Sequence, residues 1–287
     1  MKLFIPVIFF LFFNTSFAVD YEFIGVIKFN KTSMISYRLV FSENNGKISG
    51  YSITDLQGIN ETKNIIVGTY NKKTKVLIFK EKQMEYTKSK ITKNDFCNIH
   101  FEGKVNLSSS DKLKGSFQSF FSNNSPCING DLNMVSSKKA TSRMEKFDNK
   151  ISKSKRIGEE AKDSISLVKV LNELKVNIIK EGELVSVFMN SSEIFISFYD
   201  AGQEDGDEIT VFYDDLKIIS NYSVLNKEKI LKLTLKNNNS IIKIISNSEG
   251  RIPPNTTKVK IYNKEKTIEL FTDLKKNETT SIQIIKN

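Results

Sequence analysis

The chain is dominated by one cadence. Short runs rich in Ile, Val, Phe, Tyr and Thr recur every 10–14 residues, and turn signals break them. Between residues 21 and 136 they read "YEFIGVIKF", "SYRLVF", "KISGYSITD", "IIVGTYN", "KVLIFKE", "FCNIHFEGKVNL", "LKGSFQSFF" and "INGDLNMV". "ENNG", "NKKT", "SSSD" and "SNNSP" punctuate them. Such runs fit a pleated, half-buried surface, and Gly, Asn, Asp and Pro clusters end them. No helical period interrupts the first eight. Meandering strands at this spacing predict a small antiparallel barrel or a two-layer sandwich. Gly50, Gly68, Gly103, Gly115 and Gly130 fall near strand ends, where a curved sheet needs bends.

The cadence returns after residue 178. "GELVSVFM", "IFISFY", "EITVFY", "LKIISNYS", "KILKLTLK", "SIIKIISN", "TKVKIYN", "KTIELFT" and "SIQIIK" predict nine more strands, with period-two alternation clearest in "EITVFY" and "TKVKIYN". An Ig-like or jelly-roll sandwich is the natural class. The stretch between differs: it has no Pro and one Gly, and its rear half sets Ala161, Ile165, Val168, Leu171 and Leu174 on one helical stripe. Its front half holds eight basic residues between Lys138 and Arg156 against two acidic ones. The expected class is therefore all-β, in four parts: a signal peptide over 1–18, an N-terminal antiparallel β domain over 19–136, a basic helical connector over 137–178 and a C-terminal β-sandwich over 179–287.

The first 18 residues, "MKLFIPVIFFLFFNTSFA", combine Lys2, an apolar core and a small-x-small end at Ser16 and Ala18. That core is too short to span a bilayer as a helix. Export to the periplasm or the extracellular space is expected, with no transmembrane segment in the mature chain. Two cysteines, Cys97 and Cys127, are then expected to form a disulfide. With 29 residues between them, the bridge is worth about 3–4 kcal/mol in the chain-entropy picture.

The net charge of +10 is unevenly spread: +5 over 19–136, +6 over 137–180 and −2 over 181–287. Within the acidic part, "YDAGQEDGDEI" gathers Asp200, Glu204, Asp205, Asp207 and Glu208 in one loop. Clustered carboxylates repel unless a cation or water relieves them. Hard oxygen donors on a turn made permissive by Gly202 and Gly206 suit calcium, although the spacing is not that of an EF-hand. A solvated acidic edge, or pairing with the basic connector, would also satisfy the charge.

Catalytic signals are sparse. The one histidine, His100, sits in a strand on the face opposite Cys97, Ile99 and Phe101. HExxH, GxSxG, CxxC and Walker patterns do not occur. A pair of carboxylates alone would serve a glycosidase, but nothing singles one out. The basic connector has only Phe147 among its charges, so nucleic acid is not expected as a partner.

"YDAGQEDGDEITVFYDDLKIISNYSV", followed by "SNSEGRIPPNTTKVKI", resembles a β domain of uncharacterised secreted two-domain proteins from Bacteroidetes-type bacteria. Their pattern runs W-D-N-G-x-x-D-G-D-x-I, then E-N-x-G-x-I-P-P-N-T. Here Tyr199 stands for the Trp, Ala201 for the Asn, Asp214-Asp215 for a later Asn-Gly turn, and Asn247-Ser248 for Glu-Asn. The resemblance implies a β domain and no particular activity. Together these features suggest an exported, non-enzymatic binding or envelope-interaction protein, calcium-stabilised and directed to a glycan or cell-envelope component. The alternative is a carrier holding a small apolar ligand inside the N-terminal barrel.

Overall fold

The computed structural model describes residues 19–29, 33–90, 93–154, 158 and 166–286. The signal-peptide segment, Ala161 and Ile165 lie outside them. The fold is all-β, and the described residues between its halves include two short helices. No described helix is long and apolar enough to cross a membrane.

The N-terminal half is a barrel. Its strands are β1 (Val19–Lys28), β2 (Met34–Asn44), β3 (Lys47–Thr54), β4 (Thr62–Asn71), β5 (Val76–Thr87), β6 (Asn98–Lys104), β7 (Lys112–Phe120) and β8 (Gly130–Ser136). Each pairs antiparallel with the next, and β8 returns to β1, with Phe23 opposite Ser136 and Lys28 opposite Asp131. Closure removes the free edges of the sheet. At Gly68 a Cβ would run into the carbonyl oxygen of Ile78, so the coiled wall tolerates no side chain there. The disulfide Cys97–Cys127 links the residues just ahead of β6 and β8, with Cα atoms 5.9 Å apart.

Alternation sends Phe23, Tyr37, Leu39, Phe41, Leu77, Phe79, Phe101, Leu113, Phe117 and Met134 inward, and together they fill the barrel. A filled interior gives no support to the carrier alternative. The interior also holds carboxyl groups, of which Glu81 is the most heavily bonded. Glu81 accepts hydrogen bonds from Tyr37 Oη (2.9 Å), Ser52 Oγ (2.6 Å) and the Ile99 amide (2.8 Å). Burial pushes its carboxyl above the ordinary value, against the pull of these donors.

The connector begins with α1 (Ser137–Ser152), capped by Ser136, whose Oγ accepts from the Lys139 amide. A second helix, α2 (Leu167–Glu173), is capped by Ser166. Asp148 of α1 accepts from the amides of Leu167 (3.0 Å) and Val168 (3.2 Å), which ties the two helices together. Of the expected stripe, Leu171 is fully buried.

The C-terminal half is a sandwich of two five-stranded layers. Its strands are β9 (Ile178–Lys180), β10 (Leu184–Met189), β11 (Glu193–Asp200), β12 (Asp207–Tyr213), β13 (Leu216–Ser223), β14 (Lys229–Thr234), β15 (Asn239–Glu249), β16 (Thr257–Tyr262), β17 (Thr267–Asp273) and β18 (Thr279–Lys286). One layer runs β13-β12-β15-β18-β10 and the other β14-β11-β16-β17-β9. Ile194, Ile196 and Phe198 of the second layer face Ile209, Val211, Ile242, Ile244, Ile282 and Ile284 of the first. β9 adds a strand to the nine expected. It pairs parallel to β17, as β10 does to β18.

The two halves share a sheet: Ser186 and Val187 of β10 pair with Thr87 and Tyr86 of β5. Tyr86 enters the sandwich core, and its hydroxyl donates to Glu61 (2.9 Å). Lys88 donates to the Ile178 carbonyl (2.6 Å) and forms an ion pair with Glu183 (2.9 Å). Arg38 reaches the Lys175 carbonyl (2.9 Å).

Candidate functional site

The acidic loop leaves β11 at Asp200 and enters β12 at Asp207. Beside it runs the chain that leaves β15, because Asp207 is in register with Glu249. Two left-handed glycines shape the crossing, Gly206 (φ +103°) and Gly250 (φ +61°). At Gly250 the reason is also steric, since a Cβ would strike the Asp205 carboxylate.

The five expected carboxylates divide. Asp200, Asp205 and Asp207 turn inward and are buried. Asp200 Oδ1 accepts from the Gly202 amide (2.7 Å), Asp205 Oδ2 from the Ile252 amide (2.8 Å) and Asp207 Oδ2 from the Thr256 amide (3.0 Å). Glu204 turns to the Asn226 amide (2.6 Å), and Glu208 to Ser223 Oγ (3.4 Å). None of the five forms an ion pair among the described residues, so none of the connector's described cations neutralises them. Asn255, fully buried, holds the two crossing chains through the carbonyls of Glu208 (3.2 Å) and Ser248 (2.9 Å).

Two oxygens remain orphaned. Asp205 is 8% exposed and Asp207 is 3% exposed, and Oδ1 of each has no hydrogen-bond partner. Buried polar atoms without partners are uncommon in native folds, and a water, an ion or a proton would satisfy these two as it would Asn64 Oδ1, Ser137 Oγ and Ser197 Oγ, the other such atoms among the described residues. The carboxyl of Asp207 is pushed up to about 6, first by burial, then by the negative charges of Asp205, Asp200 and Glu249. Glu249 is thus a member of the cluster that the loop's sequence did not reveal. Among the described residues no three His, Cys, Asp or Glu side chains converge as a ready-made ligand set. Any cation here would draw on Asp205 and Asp207, with loop carbonyls and water completing a shell of oxygens.

A second feature lies on the outward side of β11, β16 and β17. Phe195 and Tyr262 stack at 5.4 Å between centroids. Lys258 Nζ lies 5.4 Å from the centroid of Tyr199 and 5.2 Å from that of Phe271, and pairs with Glu269 at 3.0 Å. Lys260 lies 5.2 Å from the Tyr262 ring centroid and pairs with Glu228. The result is a half-buried row of aromatic rings held by lysine stems. Tyr199 adjoins Asp200, so row and acidic loop share a strand end.

His100 sits on the barrel exterior beside the Phe120 ring, 4.8 Å between centroids. Burial and then Lys80 push its pKa down. The surface concavity it lines, about 840 Å³, also holds Glu102, Ser116 and Asp131, but Ser116 donates to Asp131 rather than to the imidazole. That arrangement makes no nucleophile–base pair.

Comparison of the chain with models of protein families, with curated proteins and with solved structures found no match.

Proposed function

We propose that the chain is an exported, non-enzymatic binding protein whose C-terminal sandwich is stabilised by calcium at the acidic loop. The observation that carries this reading is the pair of buried, partnerless Oδ1 atoms of Asp205 and Asp207 within one cluster of negative charge. Calcium prefers such hard oxygens in irregular numbers, and it would offset a repulsion that the protein itself leaves uncompensated. The signal-peptide pattern and the disulfide are in keeping with an oxidising, extracytoplasmic setting.

A glycan or cell-envelope component is the proposed partner. The row Phe195, Tyr199, Tyr262 and Phe271 supports it, because flat rings beside lysines suit the apolar face and hydroxyls of a sugar. The likeness to secreted β domains from Bacteroidetes-type bacteria fits the same setting.

Calorimetric titration of the full mature chain with calcium chloride tests the proposal. A saturable heat is expected, lost in Asp205→Asn with Asp207→Asn. Absence of any heat from the unsubstituted chain would refute the calcium site.

A further inference from the structure

We propose that α1 is a docking track for a linear acidic polysaccharide. The inward side of this helix is used up: Ser137 and Ala140 are buried, and Asp148 is bound to the start of α2. The opposite side carries Lys139, Arg143, Lys146, Lys150 and the C-cap Lys153. Their spacing alternates between four and three residues, so all five fall on one stripe. At 1.5 Å per residue the stripe runs about 21 Å.

The stripe has a single sign of charge. Lys139 forms an ion pair with Asp111 (2.5 Å). Among the described residues no carboxylate forms a close ion pair with Arg143, Lys146, Lys150 or Lys153, although the charge of Arg143 is felt at Asp111, and all four are exposed. A solvated helix ordinarily intersperses both signs, because like charges three and four residues apart repel. The helix dipole accounts for Lys150 and Lys153 in the last turn. It does not account for Arg143 and Lys146 in the middle. Repulsion along the helix is relieved if a polyanion lies against it.

The shape selects among polyanions. A helix that binds a membrane surface inserts its apolar face, but here that face is docked on the protein. A single-stranded nucleic acid wants a series of stacking rings, and the track offers only Phe147, 48% exposed, at its flank. A narrow row of cations with one ring beside it fits an acidic sugar chain. The choice of sugar over nucleic acid rests on the exported, glycan-directed reading above.

The test uses the full mature chain with four probes: heparin, polygalacturonate, vesicles containing phosphatidylglycerol, and single-stranded DNA. Heparin and polygalacturonate are expected to bind in low salt. Arg143→Gln with Lys146→Gln and Lys150→Gln should weaken that binding at least tenfold. By analogy with single-stranded polyanions, where each contact contributes about 0.7 to the salt slope, the loss should flatten it by roughly 2. The melting temperature should not fall, which separates a docking role from a structural one. Equal binding by the triple variant overturns the proposal, as does tighter binding of vesicles or DNA than of either polysaccharide. Tyr199→Ala with Tyr262→Ala, titrated with neutral laminarin, separates this proposal from the aromatic-row reading. Loss of laminarin binding, or its absence throughout, leaves the helix result unaffected.

Discussion

Asp207→Asn probes the acidic loop most directly, because the structure gives both its sign and its size. The Asp207 carboxyl is pushed up from 3.8 to about 6 by burial and by its acidic neighbours. As pH falls through 6 the folded state takes the proton first, and the unfolded chain catches up only near 3.8. The folded state therefore binds more protons in that window, and stability falls as pH rises through it. Above the window the ionised group is a standing cost. At about 1.4 kcal/mol per pH unit, the displacement is worth about 3 kcal/mol for a fully shielded group. The loop lies at the rim of the sandwich, and screening reduces this to about 1–2 kcal/mol. Thermal unfolding with a chelator at pH 7.5 should then show Asp207→Asn more stable than the natural chain, by roughly 2–4 °C per kcal/mol. At pH 4 the difference should vanish. Calcium should reverse the order at pH 7.5, since a ligand at a hundredfold excess over Kd adds about 2.7 kcal/mol and the variant has lost a ligand oxygen. A variant less stable than the natural chain in chelator at pH 7.5 would refute the reasoning. It would mean that the hydrogen bond from the Thr256 amide outweighs the repulsion.

Three further outcomes follow from other parts of the fold. Non-reducing mass measurement should show Cys97 and Cys127 two protons short of the dithiol, and Cys97→Ser with Cys127→Ser should cost about 3 kcal/mol in denaturant unfolding. Lys88→Met should cost about 3–5 kcal/mol, because Lys88, its side chain 3% exposed, is the cation facing Glu183 at the junction; a double-mutant cycle with Glu183→Gln should recover part of that loss. Glu81→Ala should destabilise the barrel by at least about 2 kcal/mol, since it empties a packed position and strands Tyr37 Oη, Ser52 Oγ and the Ile99 amide; an unchanged denaturation midpoint would contradict the buried network.

Most of the fold was legible because strand period and turn chemistry are local. Each of the eight N-terminal runs became a strand, and Asn45-Gly46 of "ENNG" and all of "SNNSP" fell between strands as turn chemistry requires. Closure of the barrel was not legible, since a sandwich needs the same alternation and only the pairing of β8 with β1 decides between them. The shared sheet was also invisible. It rests on two paired residues of β5 and β10, which lie about a hundred positions apart and carry no pattern of their own. β9 escaped for a related reason: three residues are too few to show a period, and its place comes from Asn177, whose carbonyl accepts from the Phe271 amide.

The candidate site shows the same boundary from the other side. Glycine and aspartate in "QEDGDEI" announced an acidic loop, and the loop formed where expected. What the string could not say is which carboxylates turn inward. Strand alternation separates Asp207 from Glu208, so one joins the cluster and the other reaches Ser223. Glu249 joins because β12 and β15 pair with Asp207 opposite it, a register set more than forty residues away. "RIPPNT" is the segment that makes the cluster possible, because the amides of Ile252 and Thr256 hold Asp205 and Asp207 by one oxygen each. The other oxygen of each is left over. A loop built only for solubility would leave those atoms in water. This one buries them, and that burial is the observation on which the proposed calcium site rests.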